Sequence, residues 1–373
     1  MTIKPSCHRL VSVDVFRGLT IAFMILVNSP GNQTPYTWLE HSAWNGCTLA
    51  DLVFPFFIII VGISSVLAFT RLKNMGFGTN DLLEKVIRRS AYIFFMGLLL
   101  NAVPHCDPYT LRILGVLQRI AICYFFSALL FLTTRVQAQV IIMMALLVGF
   151  GCLMSYTPTT LDGNVIGVVD RLVLTSAHLY TPTFDPEGLL STLPAIASVL
   201  LGNLIGVCVT SSQTQQQKLQ WMSVAGIMLV ILGVICSVAW PINKALWSPS
   251  YVLFTGGIAL LVFSIIYYVI EIKNWIQWSR PFDLFGRHAM LVYVLHVLGL
   301  KIQSIIFMQN MAGMRINCRL YLTQLLFGSF RPENAALCYA ISYTLLWFCV
   351  IKGVDAWQRY RRKITFRQNG SLC

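Results

Sequence analysis

Apolar runs close to the length of a bilayer crossing recur along almost the whole chain, and no other sequence feature limits its fold as strongly. They read as 12–29, 49–70, 89–104, 112–134, 136–156, 188–210, 220–240, 250–270, 282–300 and 335–354, the third being short. A helix needs about 20 apolar residues, at 1.5 Å each, to cross the hydrocarbon layer. Without water in that layer every span must satisfy its own backbone, which leaves helices as the fitting element. The expected fold is therefore all-α: a polytopic integral membrane helical bundle of about ten transmembrane helices, with 1–373 as one domain. Only 11% of the residues are charged, against about 25% in soluble domains, so a soluble fold would have too little polar surface. Residues 301–334 place Lys301, Arg315, Arg319 and Arg331 among apolar patches and suggest an interfacial or re-entrant helix.

The charges give an orientation. Arg71, Lys73, Lys85, Arg88 and Arg89 lie between the second and third spans. Arg135, Lys218, Lys273 and Arg280 fall in every second loop after that, and Arg359, Arg361, Arg362, Lys363 and Arg367 in the tail. Retention of basic residues on the cytoplasmic side puts both termini inside. The alternate loops carry Glu40, Asp107, Asp162, Asp170, Asp185 and Glu187 and face outward. The net charge of +13 thus needs no nucleic acid partner. Asp14 and Arg17 share a face of the first helix, which reads as retained rather than as a cleaved signal. The Gln-rich run 213–217 reads as a solvated cytoplasmic linker. Eleven cysteines show no CxxC and no metal-ligand spacing, so no metal is expected; most read as small hydrophobes. Cys47 and Cys106 share the outer face, where a disulfide is suggested. No repeat of fixed period is evident, which tells against a transporter built from internal repeats.

Chemistry concentrates just before the second span, where Glu40, His41, Trp44, Asn45 and Asp51 fall within a dozen residues. Polar density at a membrane boundary costs stability and marks function, although a lone histidine there also suits a loop cap. Asn28 ends the first span ahead of a Ser-Pro-Gly-Asn turn. Gln118 and Arg119 fall inside the fourth span, Arg119 about 10 Å below its outer end, where a guanidinium must find an anion or carbonyl. Asp185 and Glu187 open the sixth span, either as substrate ligands or as an N-cap and a first-turn acid. Arg287, His288 and His296 lie in the ninth. The two histidines are about 12 Å apart along one helix face, too far to share a metal. There is no phosphate loop, HExxH or GxSxG. A histidine beside asparagines and carboxylates suits general-base catalysis or a transient acyl-imidazole, and buried arginines suit a phosphate-bearing donor.

Ser12–Thr20, the Asn28 turn, His41–Gly46, Ala50–Phe56, Gly115–Arg119, Phe184–Gly188, Asn243–Ser248 and Leu291–His296 together resemble the heparan-alpha-glucosaminide N-acetyltransferase family, in family order. The resemblance implies acetyl transfer from acetyl-CoA to the amino group of a terminal glucosamine at a membrane. It matches His41 to the family's active-site histidine and Asn28 to an asparagine beside it. Under this reading His41 is base or acetyl carrier, Asn28 and Asn45 orient it or donate to the thioester oxygen, and Asp51 supports it. Gln118, Arg119 and Arg287 would meet acetyl-CoA, while Glu40, Trp44, Asp185 and Glu187 would meet the amino-sugar acceptor. The first apolar run begins at residue 12, with no room ahead of it for the large luminal domain that precedes the first span in the animal enzyme. The expectation drawn from this is a bacterial inner-membrane homologue, with an acceptor other than heparan open to it. Its expected partners are acetyl-CoA, the sugar, the lipid bilayer and a second copy in a homodimer. The competing reading is a transporter or flippase for an amino sugar or glycolipid, gated by His41 and the acids.

Overall fold

The computed structural model describes residues 9–370 apart from 105–106, 162 and 311–312, with side chains as far as 361. Among the described residues thirteen α-helices carry the fold: α1 (Val11–Asn28), α2 (Leu49–Asn74), α3 (Thr79–Ala102), α4 (Val116–Thr133), α5 (Val136–Ser155), α6 (Val165–Leu174), α7 (Thr192–Thr210), α8 (Gln215–Cys236), α9 (Pro249–Tyr267), α10 (Arg280–Arg287), α11 (Ala289–Ile305), α12 (Cys318–Phe327) and α13 (Pro332–Gly370). Eight described helices are long and apolar enough to cross a membrane: α1, α2, α4, α5, α7, α8, α9 and α13. The pair α10–α11, bent by 73°, passes the same test together and makes nine if it crosses as one broken span. The fold is an all-α, polytopic membrane protein.

The expected count of about ten falls to eight or nine at α3. This helix starts at Thr79, ten residues ahead of its apolar run, because Asp81 at its third position accepts from the Gly78 amide at 3.0 Å and caps it. Its first half then carries Asp81, Glu84, Lys85, Arg88 and Arg89, and dilutes its hydropathy. The ninth expected span is broken at His288, which caps α11 and does not continue α10, so His288 and His296 do not lie on one straight helix.

The helices divide into two compact units. The first holds the chain up to Val13 and Glu40–Trp275. Within it α2 packs on α7, α3 on α4 and α8 on α9. The α2–α7 approach depends on missing side chains: a Cβ on Gly62 would stand 2.2 Å from the Val199 carbonyl oxygen, and one on Gly202 2.2 Å from that of Ile59. Small residues allow such backbone proximity where lipid supplies no hydrophobic drive between helices. Phe150, Met154, Ile166, Phe184 and Leu246 form a buried cluster against which Trp44 packs, so the segment before α2 rests on a firm floor.

The second unit holds Asp14–Leu39 and Ile276 onward. Arg17 pairs with Asp14 at 2.9 Å, as their spacing implies, and also donates to the Gly286 carbonyl at 3.0 Å. Residues 301–334 contain no single re-entrant helix. They hold the end of α11, an antiparallel hairpin of β1 (Phe307–Gln309) and β2 (Arg315–Asn317), and α12. Asn310 and Asn317 explain this: the Asn310 carbonyl accepts from Gly313, which has a positive φ, and the Asn317 side chain caps α12 through the Leu320 amide at 2.9 Å.

Candidate active site

Asp51 is the third residue of α2, and its position there is local. Thr48 is the N-cap, and its amide donates to Asp51 Oδ2 at 3.1 Å while the Asp51 amide donates to the Thr48 carbonyl. A carboxylate at this position satisfies an orphan amide and meets the positive end of the helix. The same Oδ2 also accepts from the Ser42 amide at 3.0 Å, which draws the preceding loop back over the helix start.

That fold-back sets His41 beside Asp51, with Nδ1 2.8 Å from Oδ1. The carboxylate is fully buried, whereas the His41 side chain is 48% exposed. Asp51 therefore holds one edge of the ring and leaves Nε2 on the accessible side. With Nδ1–H donated to the carboxylate, Nε2 carries the lone pair, the arrangement needed in a base or nucleophile.

Lys244, in the connection between α8 and α9, completes the cluster. Its Nζ is 3.2 Å from Asp51 Oδ1 and 3.0 Å from His41 Nδ1. The neighbouring residues bind the two loops together. Asn243 Nδ2 donates to Asn45 Oδ1 at 3.1 Å, the Gly46 amide donates to the Ile242 carbonyl at 2.7 Å, and the Tyr251 hydroxyl donates to the Asp51 main-chain oxygen at 2.6 Å. Burial first, then the Asp51 charge, pushes the Cys47 thiol up to about 12 despite Lys244, so it stays protonated and is a poor nucleophile. Its suggested disulfide partner Cys106 lies outside the described residues.

The other expected site residues fall into distinct environments. Glu40 is exposed, and its main-chain oxygen accepts from Thr48 Oγ1 at 2.6 Å. Trp44 donates to the Thr159 carbonyl at 2.7 Å and meets the Phe184 ring edge-on at 5.6 Å. Asp185 and Glu187 precede α7, which begins at Thr192, so neither caps it. Both bind Arg112 instead: Asp185 accepts from Nε at 2.9 Å and from Nη2 at 2.7 Å, and Glu187 also accepts from Nη2. Burial of Arg112 opposes its charge, but the two carboxylates outweigh this and hold the guanidinium above its ordinary range. Gln118 and Arg119 are buried in the first turn of α4, which begins at Val116, so Arg119 stands at the start of its helix and not about 10 Å into it as expected. Arg119 Nη2 donates to Ser191 Oγ and to the Gly188 carbonyl, while Nε and Nη1 have no hydrogen-bond partner among the described residues.

Asn28 is exposed at the end of α1 and belongs to the second unit. Arg287, in the same unit, reaches Asp283 at 3.2 Å and Asp355 at 3.5 Å, and His288 reaches Asp355 at 3.4 Å. The structure thus joins His41 to Asp51 and Lys244, ties Asn45 to Asn243 beside that lysine, and gathers Asp185 and Glu187 on Arg112. Reading the sequence missed Lys244 and Arg112 as parts of these clusters. Lys244 was legible only as a member of the Asn243–Ser248 block, and Arg112 only as a cation in an acid-rich loop.

The fold defines a polytopic membrane protein, with a histidine, a buried aspartate and a lysine in contact at the start of α2. Residues 9–234 match the family described as heparan-alpha-glucosaminide N-acetyltransferase, catalytic, and the chain belongs to this family. It is 30% identical to the mouse heparan-alpha-glucosaminide N-acetyltransferase, over 79% of this chain and 54% of the mouse protein. It is 29% identical to the human protein of that name, over 77% of this chain and 52% of the human one. The chain spans about half the length of these curated relatives.

Proposed function

We propose that this chain is a membrane-bound N-acetyltransferase that moves an acetyl group from acetyl-CoA to the amino group of a glucosamine-type sugar, at the extracytoplasmic face. The observation that carries the reading is the exposed His41 ring backed by the buried Asp51 carboxylate at 2.8 Å, in a chain of this family. The sugar nitrogen attacks the thioester carbonyl, the carbon–sulfur bond breaks, and His41 Nε2 takes the amine proton and returns it to the departing thiolate. The products are the acetamido sugar and free CoA thiol. Asp51 keeps Nδ1 protonated and so keeps Nε2 available as acceptor.

Asn45 is proposed to orient the acceptor or to donate to the thioester oxygen as it gains charge. Glu40, exposed beside His41, and Trp44 are suited to a sugar's hydroxyls and apolar face. Asp185 and Glu187 support the acceptor side through Arg112 rather than by direct contact. Arg119 and Gln118 are proposed donor ligands, Arg119 supplying the cation for the phosphates.

The test uses the purified full chain with acetyl-CoA and glucosamine, reading thiol release and the mass of the sugar. Wild-type protein should form the acetamido sugar and release thiol in equal amounts. His41→Ala should lower turnover by a factor of about 100 or more while the protein stays folded. Near-normal turnover in His41→Ala would overturn the assignment of His41, and no thiol release by wild type would overturn the reaction.

A further inference from the structure

Lys244 has no place in the reaction as set out above, yet it stands within 3.2 Å of both members of the His41–Asp51 pair. Three groups of this kind cannot all carry charge at equal cost. With Asp51 ionised and His41 neutral, Lys244 brings the triangle to zero net charge. With His41 protonated as well, two cations 3.0 Å apart face one carboxylate. The carboxylate needs a counter-charge, because it is fully buried and uncompensated burial is costly.

We infer that Lys244 is a positioning residue: it supplies the counter-charge of Asp51 that His41 would otherwise supply by protonating, and so leaves the Nε2 lone pair for chemistry. Within this unit the groups facing the ring are few. Asp51 approaches from α2 and Lys244 from the α8–α9 connection. Cys47 stays an uncharged thiol, the Tyr251 hydroxyl is engaged with the Asp51 main-chain oxygen, and Glu40 is exposed next to His41 in sequence. Lys244 is therefore the cation whose removal would change the balance most. Its backbone is fixed where it stands, since Asn243 Oδ1 accepts from the Leu246 amide at 2.8 Å and Ser248 Oγ from the Asn243 amide at 3.1 Å.

The inference rests on the acetyl-transfer reading for its effect on turnover, but its first test does not. Diethylpyrocarbonate acylates unprotonated imidazole, and His41 is exposed enough to react. Peptide mass spectrometry then follows carbethoxylation of His41 against pH in the full chain. In Lys244→Met the midpoint should move to higher pH by about one unit, the roughly tenfold effect of unit charges about 3 Å apart even at the screening of water. Lys244→Arg should restore the wild-type midpoint. The acid limb of the kcat profile for thiol release should move in parallel, with alkaline pH returning Lys244→Met towards the wild-type rate. If Lys244→Met does not fold, Lys244→Gln keeps a donor without the charge and takes its place. An unchanged midpoint in the neutral variant, with a lowered Tm, would overturn the inference and leave Lys244 a structural tie. If wild-type protein releases no thiol, the reaction assignment fails, while the carbethoxylation comparison still decides the role of Lys244.

Discussion

The Arg119 guanidinium lies 5.1 Å over the Trp247 ring, and both side chains are buried. The indole meets the Tyr251 and Phe54 rings edge-on at 5.3 and 5.1 Å, and Tyr251 donates to the main chain of Asp51. A packed aromatic column therefore links the arginine proposed for the donor to the residue that holds His41.

The arginine's role separates by two measurements on one variant. Two of its guanidinium nitrogens have no hydrogen-bond partner among the described residues, and Arg119→Met should leave those donors unavailable to acetyl-CoA. The KM for acetyl-CoA should rise by about tenfold to a hundredfold, as loss of a hydrogen bond to a charged group does, with the KM for glucosamine little changed. Among the described residues no carboxylate is hydrogen-bonded to Arg119, so the Tm should change little. A lowered Tm with unchanged donor affinity would retire Arg119 as a donor ligand.

Arg112 should behave in the opposite way. Asp185 is fully buried and bonded to it twice, so Arg112→Met strands a carboxylate in the interior. Removal of one partner from a buried pair costs about 3–5 kcal/mol. Thermal unfolding in detergent should show a clear loss of Tm in Arg112→Met, with recovery in the double variant Arg112→Met, Asp185→Leu. Failure of the double variant to recover would place the damage in Glu187, which also loses Arg112, or in the Tyr180 and Glu187 amides that donate to Asp185.

Asp170 gives a pH signature. Burial raises its carboxyl from 3.8 to about 6, against the Leu189 amide that donates to it at 2.8 Å. The folded chain thus binds this proton more tightly than the unfolded chain. Its stabilising contribution is complete below about pH 3.8 and is lost as pH rises through about 6. Relative to wild type, Asp170→Asn should gain Tm as pH is raised from 4 to 7. A constant Tm difference across that range would show that Asp170 does not titrate there.

Topology is tested by labelling. On a background without native cysteines, a membrane-impermeant maleimide applied from outside should modify Thr37→Cys and leave Asn74→Cys untouched. The basic loops and the tail from Arg359 motivate this orientation. The reverse pattern would move the His41 site to the cytoplasmic face.

What the sequence by itself determined is local in origin. The length of each apolar run settled an all-α membrane fold, because a span must satisfy its backbone within one helix. The Thr48–Asp51 spacing fixed where α2 begins, and ten residues from His41 to Asp51 are short enough for one loop to close. The charged start of α3, the break at His288 and the hairpin at Phe307–Asn317 blurred the count of spans, since caps and turns of one or two residues decide them. Only the tertiary structure decided that Lys244, 193 residues beyond Asp51, would meet it, and that Arg112 would clasp Asp185 and Glu187 some 73 and 75 residues away. Those pairings follow from which helix faces pack together, as at Gly62 and Gly202, and no spacing along the chain encodes them. A buried carboxylate must have a partner, but which cation supplies it is settled by how helices far apart in sequence come together.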